Sequence, residues 1–161
     1  MLYDINIEEK IVTMLESYVK CSVILANQTS PEPKYPYISY TIITPVHAEN
    51  GTYNFNDGVY YQPMLQTWSF TVQSDKYKEC QKTSMMMYDF FARAGRAELY
   101  KLGVSVSDKS NLTSRDNYIT IQYEYRCGID ITFRMMQKLD VTEGKIESSN
   151  LKYYMKQKGS C

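Results

Sequence analysis

The residue types that most often carry out chemistry in proteins are few in this sequence and poorly spaced for catalysis. His47 is the only histidine, so it would have to serve any Ser/His/Asp triad, and a site with two histidine ligands cannot form. Because His47 follows Pro45 in a predicted loop, we interpret it as a solvated side chain. The sequence contains neither a Walker loop nor a G-x-G-x-x-G segment, the usual phosphate-binding motifs.

Two carboxylates on one predicted strand, Glu124 and Asp130, are the remaining candidates for acid/base work. They lie six residues apart, which puts their Cα atoms roughly 20 Å apart at a rise of ~3.3 Å per residue. Paired catalytic carboxylates are separated by about 5–10 Å. We therefore expect no enzymatic activity, no catalytic residues and no cofactor.

Cysteine usage indicates neither a metal site nor a disulfide framework. No two cysteines form a CxxC pair or another metal-ligand spacing, and they are scattered along the chain at Cys21, Cys80, Cys127 and Cys161. The sequence does not open with a charged and then apolar signal peptide, and no apolar run approaches ~18 residues. We expect a reduced, soluble protein without membrane association.

Charge and size indicate one globular domain without a basic excess. The 161 residues include 18 Lys and Arg and 18 Asp and Glu, so the formal net charge is zero. A protein that binds nucleic acid on its own usually carries a surplus of positive charge. Tyrosine is abundant, with 16 residues. This is typical either of a tyrosine-rich sheet or of a surface that becomes buried on assembly.

One segment, "NYITIQYEYRCGIDITFRMM" at residues 117–136, alternates between apolar and polar positions throughout. A period of two predicts a strand with one buried face, here the odd positions, including Tyr123 and Tyr125. A strand of this length would span roughly 60 Å. It is longer than a domain of this size needs, so part of it is expected to project, and a projecting edge needs a partner.

The even positions of this strand are our candidates for a surface that meets a neighbouring subunit or lines a lumen. Opposite charges at fixed positions there would help to set the register between identical copies. An ordinary solvated sheet face would have the same composition, and that alternative stays open. The candidate residues are Tyr118, Gln122, Glu124, Arg126, Asp130 and Arg134.

The rest of the chain predicts two main helices and several strands. Helical spacing of apolar residues predicts helices over 6–20 and 76–94, the second with Tyr77, Cys80, Met87, Phe90 and Phe91 on its buried side and ended by Gly95 as a C′ glycine. Strands are predicted at 22–27, at 37–44 (closed by Pro45) and at 60–73, with Pro63 at a sheet edge or bulge.

These elements predict an α+β fold: a mostly antiparallel β-sheet with the two main helices packed on one face and a long C-terminal strand or hairpin. We assign residues 1–147 to a single domain. Residues 148–161 carry several lysines, and we expect them to be a weakly ordered tail or a segment bound to a partner.

Four segments in this order resemble phage neck or tail terminator proteins: "PYISYTIITP", "TWSFTVQSD", "YDFFARAGRAELYKLGVSV" and "YEYRCGIDITFR". The resemblance covers roughly residues 4–147. It implies a subunit of a hexameric ring at the head-proximal end of a phage tail, assembled in the host cytoplasm and carried in the virion. Such a ring stops polymerisation of the tail-tube protein and receives head-completion proteins. Genomic DNA passes through its bore without specific binding. The family brings no catalytic residues.

Two other functions remain as alternatives at this point. One is a different head–tail connector or a tail-tube subunit, which would share the fold class and the virion location. The other is a small nucleic-acid-binding module that stacks bases on exposed aromatic side chains. On the even face of the long strand, Tyr118 is the one aromatic residue, which disfavours such a platform.

Overall fold

The computed structural model describes residues 5–49, 54–56, 58–119 and 122–140. Within these ranges the helices are α1 (Ile5–Val19), α2 (Tyr77–Asp89) and α3 (Arg96–Lys101), with a π-helical turn at Phe90–Ala94 between the last two. The strands are β1 (Val23–Leu25), β2 (Tyr37–Ala48), β3 (Asn54–Asn56), β4 (Val59–Ser74), β5 (Ser105–Lys109), β6 (Thr113–Ser114), β7 (Asn117–Ile119) and β8 (Gln122–Asp140).

The strands form a mostly antiparallel sheet in the order β1-β2-β4-β8-β5. The β1–β2 pair is parallel, while β4 pairs antiparallel with both β2 and β8. Three short strands extend the sheet locally, β3 on β4 and both β6 and β7 on β8. The predicted α+β class with a mostly antiparallel sheet is confirmed.

The longest ladder in the sheet joins β4 to β8. All 16 residues of β4 pair with β8, from Val59 opposite Asp140 to Ser74 opposite Tyr125. This ladder is roughly 50 Å long at ~3.4 Å per residue. A compact domain of this chain length has a radius of gyration of about 15 Å and hence a diameter of about 40 Å. The two central strands are therefore longer than a compact core requires.

The hydrophobic core lies between one face of the sheet and the helices. Strand alternation puts the even residues of β4 and the odd residues of β8 on this face, and the odd face of β8 is the one that the sequence predicts to be buried. Trp68 is fully buried, with its ring 5.5 Å from that of Tyr40 and 5.3 Å from that of Phe133. The other fully buried core residues include Ile11, Leu15, Ile38, Phe70, Val72, Met87, Phe91, Ile129 and Ile131.

The predicted strand from residue 117 is interrupted by a reversal of the chain. Strand β7 pairs antiparallel with β8, with Tyr118 opposite Tyr123, so the two segments run in opposite directions. The pairing puts odd-numbered Ile119 opposite even-numbered Gln122, so odd and even residues exchange faces between β7 and β8, which the unbroken alternation of the sequence does not indicate. Tyr123, predicted to be buried, is 42% exposed.

Strand β2 continues past the proline that was predicted to close it. It runs to Ala48, and its register against β4 shifts twice, between Ile42 and Thr44 and between Thr44 and His47. Pro45 lies in the second irregularity, where a ladder hydrogen bond from its nitrogen is not needed. His47 is thus a strand residue and not a loop residue.

Pro63 lies inside the central strand β4, opposite Met136. On its other side the pairing with β2 ends at Met64 and the pairing with β3 begins at Tyr61. Pro63 falls in the gap between them and accepts a hydrogen bond from the Glu49 N–H through its carbonyl. The prediction of an edge or bulge position holds in this local sense, although β4 as a whole is central.

Helix α2 ends differently from its prediction. After Asp89 the chain continues as the π-helical turn, and Gly95 has φ −86° rather than the left-handed value of a C′ glycine. Glycine is needed there for space, because a Cβ would lie 2.5 Å from the Phe90 ring.

Tyr77, predicted on the buried side of α2, is 58% exposed and meets the Tyr125 ring edge-on.

Substituting Gly95→Ala is expected to lower the free energy of unfolding by about 1–3 kcal/mol, because a methyl group must displace a buried ring. Urea denaturation followed by circular dichroism measures this loss. In a Phe90→Leu background the same substitution should cost less, because the smaller side chain leaves room. An equal cost in both backgrounds would contradict the steric explanation.

Candidate inter-subunit surface

The candidate surface is the sheet face opposite the helices, here called the polar face. Small hydroxyl side chains of β4 and charged side chains of β8 alternate with the core residues and point to this side. Thr67 and Thr132 hydroxyls meet across the two strands at 3.0 Å. The central residues of the polar face are Thr67, Ser69, Thr71, Arg126, Asp130 and Thr132.

Glu124 and Arg126 form a partly buried ion pair at one end of the polar face. The Arg126 Nε donates to Glu124 Oε2 at 2.7 Å, and the Tyr35 hydroxyl donates to Oε1 at 2.9 Å. The Glu124 side chain is only 5% exposed. Because a buried carboxylate without a partner is strongly destabilising, Arg126 and Tyr35 have a structural role within the subunit.

Tyr35 connects this ion pair to the chain between β1 and β2. Its ring stacks on Tyr37, with centroids 5.6 Å apart. Burial and the hydrogen bond to Glu124 raise the pKa of Tyr35 to about 12, so its hydroxyl stays a donor at physiological pH. The β1–β2 connection is therefore tied across the polar face to β8.

Asp130 is held by a second cluster around Arg115, which precedes β7. Arg115 donates to Asp130 at 2.8 Å, to Ser69 at 2.7 Å and to Thr71 at 3.1 Å. The Ser69 hydroxyl also donates to Asp130, at 2.6 Å. Partial burial acts to raise the pKa of Asp130, but these hydrogen bonds and the Arg115 charge outweigh it and lower the pKa.

Gly128 provides the space in which the Arg115 side chain lies. A Cβ at this position would be 2.6 Å from the guanidinium carbon. The next residue, Asp116, accepts a hydrogen bond from the Arg126 main-chain N–H at 2.8 Å, which lowers the pKa of that carboxyl. Sequence analysis did not single out Arg115 or Asp116 as candidates. A glycine in the middle of an alternating strand was the one signal of a close approach.

Arg134 differs from the other candidates because it lies at the surface. Its side chain is 53% exposed and its Nε donates to Glu49 at 2.7 Å. Tyr118 belongs to β7 and Gln122 begins β8, but their side chains lie outside the described residues. The structure thus brings Glu124 and Arg126 together, holds Asp130 apart on Arg115, and leaves Arg134 at the surface.

At one end of the sheet, here called the arm, the C-terminal part of β2, strand β3, the start of β4 and the end of β8 lie side by side. Here Phe55 of β3 packs on Tyr60 with ring centroids 4.6 Å apart, and Lys138 lies over the Tyr61 ring. Several large apolar side chains in this region are roughly half exposed: Ile43, Val46, Phe55 and Met136. Isolated exposed apolar residues are common, but here four occur at one end of the sheet.

Among the described residues, no group of three or more His, Cys, Asp or Glu side chains is placed to hold a metal ion. In the same ranges, no helix has the length and apolar character to cross a membrane.

Of the cysteines in this part of the chain, Cys80 and Cys127 are buried and Cys21 is half-buried, all as free thiols. Burial raises the pKa of the Cys80 thiol to about 12, which disfavours its reactive thiolate form.

Comparisons with known proteins give a family and a similar virion structure. A family model described as phage neck terminator protein matches residues 9–155. A chain in the solved structure of the virion of a native gene transfer agent particle is similar over 86% of this chain and 100% of its own length. It has 12% sequence identity and a TM-score of 0.40. No curated protein matches the sequence.

Stability on the polar face should depend on pH through Asp130. Its lowered pKa means that the stabilisation by Arg115 is present above the unfolded value of about 3.9 and is lost as pH falls through the folded value. Arg115→Ala is expected to cost about 1 kcal/mol near pH 7, since both groups are partly exposed. This deficit should shrink toward pH ~3.

Urea midpoints measured from pH 3 to pH 7 test this dependence. Gly128→Ala should reproduce the Arg115→Ala profile, because a methyl group displaces the guanidinium. Lys101→Ala, which breaks the exposed pair with Glu98, should change stability by less than about 0.5 kcal/mol. A deficit for Arg115→Ala that does not change with pH would contradict the role of Asp130.

Proposed function

This chain belongs to the phage neck terminator protein family and is a structural component of the virion neck. We propose that it forms the hexameric ring that ends a tail tube at its head-proximal side. In this proposal the ring halts addition of tail-tube subunits and presents a surface to head-completion proteins. Genomic DNA passes through the bore. The subunits assemble in the host cytoplasm before they become part of the virion.

The observation that carries this proposal is the excess length of the β4–β8 ladder. Its distal end, with half-exposed Met136, and the adjoining strand β3, with half-exposed Phe55, extend beyond what the subunit needs for its own core. Extended strands that leave their own domain need a cover for edges and apolar side chains. A closed ring provides that cover identically for every subunit, so the arm is suited to contact the next copy.

The charges on the polar face fit passage of DNA without tight binding. Arg115, Arg126 and Arg134 are each paired with a carboxylate of the same chain, and the sequence has a formal net charge of zero. Each phosphate neutralised by a protein cation adds salt-dependent affinity. A bore built from subunits with internally paired cations would let the genome slide instead of holding it.

Purified protein added to growing tail tubes tests the function directly. We expect a ring of density at one tube end in electron micrographs and an arrest of elongation at that end. Open tubes formed by the isolated protein would support the tail-tube alternative instead. Tubes that carry no ring density and continue to grow in the presence of excess protein would overturn the proposal.

Charge reversal on the candidate surface tests where copies meet. Arg126 is a poor choice, because its loss would leave buried Glu124 unpaired, so Arg134→Glu is the sharper variant. It should impair ring assembly while changing the free energy of unfolding by no more than about 0.5 kcal/mol, as for a surface charge. Light scattering and electron microscopy of tube ends measure assembly, and urea denaturation measures stability.

The matched control is Arg93→Glu on the helical side, which also breaks an exposed ion pair, with Asp89. Its assembly should equal that of the unmodified protein. If both variants assemble normally, Arg134 does not contribute to the interface. If Arg134→Glu is instead destabilised by several kcal/mol, the residue serves the subunit's own fold.

A further inference from the structure

A groove of about 410 Å³ lies between the β1–β2 connection and the polar face. The connection forms one wall, and Arg126 lies on the opposite side. The floor consists of short hydroxyl and amide side chains: Ser39, Thr41, Ser69, Thr71 and Gln73. Small-molecule pockets of about 300–1,000 Å³ are mostly apolar, whereas this lining offers hydrogen bonds along an extended floor.

Gln73 leaves one hydrogen-bonding atom of this floor unused within the subunit. Its side-chain nitrogen donates to Ser39 Oγ at 3.2 Å. Its Oε1 is buried and, among the described residues, accepts no hydrogen bond. The residue as a whole is 8% exposed. A buried acceptor without a donor is costly, which favours an occupant that brings N–H or O–H groups to this part of the groove.

The charges around the groove favour a basic occupant. Glu32 lines it, Glu124 lies next to it, and Arg126 faces them. Arg115 reaches the floor at Ser69 and Thr71, but its charge is paired with Asp130. Burial, followed by the Glu32 and Glu124 charges, raises the pKa of Tyr37 to about 12 against the opposing effect of Arg126. The two carboxylates therefore dominate the potential at Tyr37.

The chain itself contains a segment of matching chemistry. Residues 148–161, "SSNLKYYMKQKGSC", include three lysines and no acidic residue. Lysine supplies three hydrogen-bond donors at the end of a long stem. The segment also carries main-chain N–H groups and the hydroxyls of Tyr153 and Tyr154. It thus offers hydrogen-bond donors for the floor of the groove and positive charge opposite Glu32 and Glu124.

We propose that this groove binds the C-terminal segment, residues 148–161, of a neighbouring copy. This inference rests on the ring assembly proposed above. Strand β8 ends at Asp140, whereas the groove lies beside β8 positions 126 to 130. That is roughly 33–46 Å back along the strand. A subunit's own segment would have to reverse direction after Asp140 and spend about half or more of its reach, roughly 70 Å for the 21 following residues, on returning along β8, which costs chain entropy.

In a closed ring each copy supplies one segment and one groove, so every groove is filled by the same contact. The segment then links neighbours on the side of the sheet opposite the helices. The proposal also accounts for the position of Tyr35, whose bond to Glu124 keeps the groove wall in place.

Photo-crosslinking in the full chain tests this contact. The residue p-benzoylphenylalanine replaces Tyr154, copies with and without ¹⁵N are mixed before assembly on tail tubes, and crosslinked peptides are identified by mass spectrometry. We expect crosslinks from position 154 to peptides containing residues 24–41 or 69–73. The expected crosslinks join ¹⁵N to unlabelled chains. The matched control replaces Tyr100, 77% exposed on α3, and should give no crosslinks to the groove.

A second variant, Glu32→Lys, reverses charge at the groove and should reduce the yield of groove crosslinks several-fold. Crosslinks that never mix isotopes would show that each segment binds its own subunit, which overturns the proposal. Crosslinks elsewhere, or none, in assembled rings would overturn it and leave the proposed function intact. Absence of rings on the tubes, judged by electron microscopy of the same samples, would instead overturn the proposed function.

Discussion

Main-chain hydrogen bonds between β4 and β8 decide where most other side chains of the subunit lie. Their register places Trp68 opposite Ile131 and Ser69 opposite Asp130, which assigns one face to the helices and the other to polar groups. A shift of one residue would exchange the two faces along the whole ladder. The burial of Trp68, Phe70 and Phe133 opposes such a shift, so packing and pairing reinforce each other.

The polar face owes its shape to side chains that reach it from connections between strands. Arg115 holds the segment before β7 against Asp130, and Tyr35 holds the β1–β2 connection against Glu124. Ion pairs of this kind add little net stability, because desolvation offsets much of their attraction. Their larger effect is geometric, since they fix two loops at defined positions on the sheet. The shape of the polar face is thus set by contacts within one chain.

Much of the fold could be predicted from the sequence, because burial on one face imposes a period that survives in the residue order. Alternation in β4, from Gln62 onward, and in β8, up to Met135, indicates which strand residues face the core. Helical spacing of apolar residues predicts α1 and α2. The reversal between β7 and β8 was missed because the alternation of residue types continues through it, although the pairing of Ile119 with Gln122 exchanges the faces of odd and even residues. The role of Gly95 was misassigned because its constraint comes from a ring folded back against it, not from its own φ angle.

The candidate surface was less predictable than the core. Composition correctly marked the even positions of β8 as polar, yet it could not indicate that Glu124 is buried against Tyr35, a residue 89 positions earlier. Nor did any spacing connect Arg115 with Ser69. Such contacts depend on which loops cross the sheet, and local residue patterns carry little information about that. Among the candidates with described side chains, Arg134 is the one whose charged side chain lies at the surface, as its even position on the strand predicted.

The aromatic cluster around Trp68 also determines how this protein can be observed in solution. The sequence has one tryptophan, and its indole N–H donates to Gln66 at 2.7 Å inside the core. Its fluorescence is therefore that of a shielded indole, and it shifts to longer wavelength when the sheet opens. Assembly through the distal arm would leave this emission nearly unchanged. A single optical signal thus separates unfolding of a subunit from association of intact subunits.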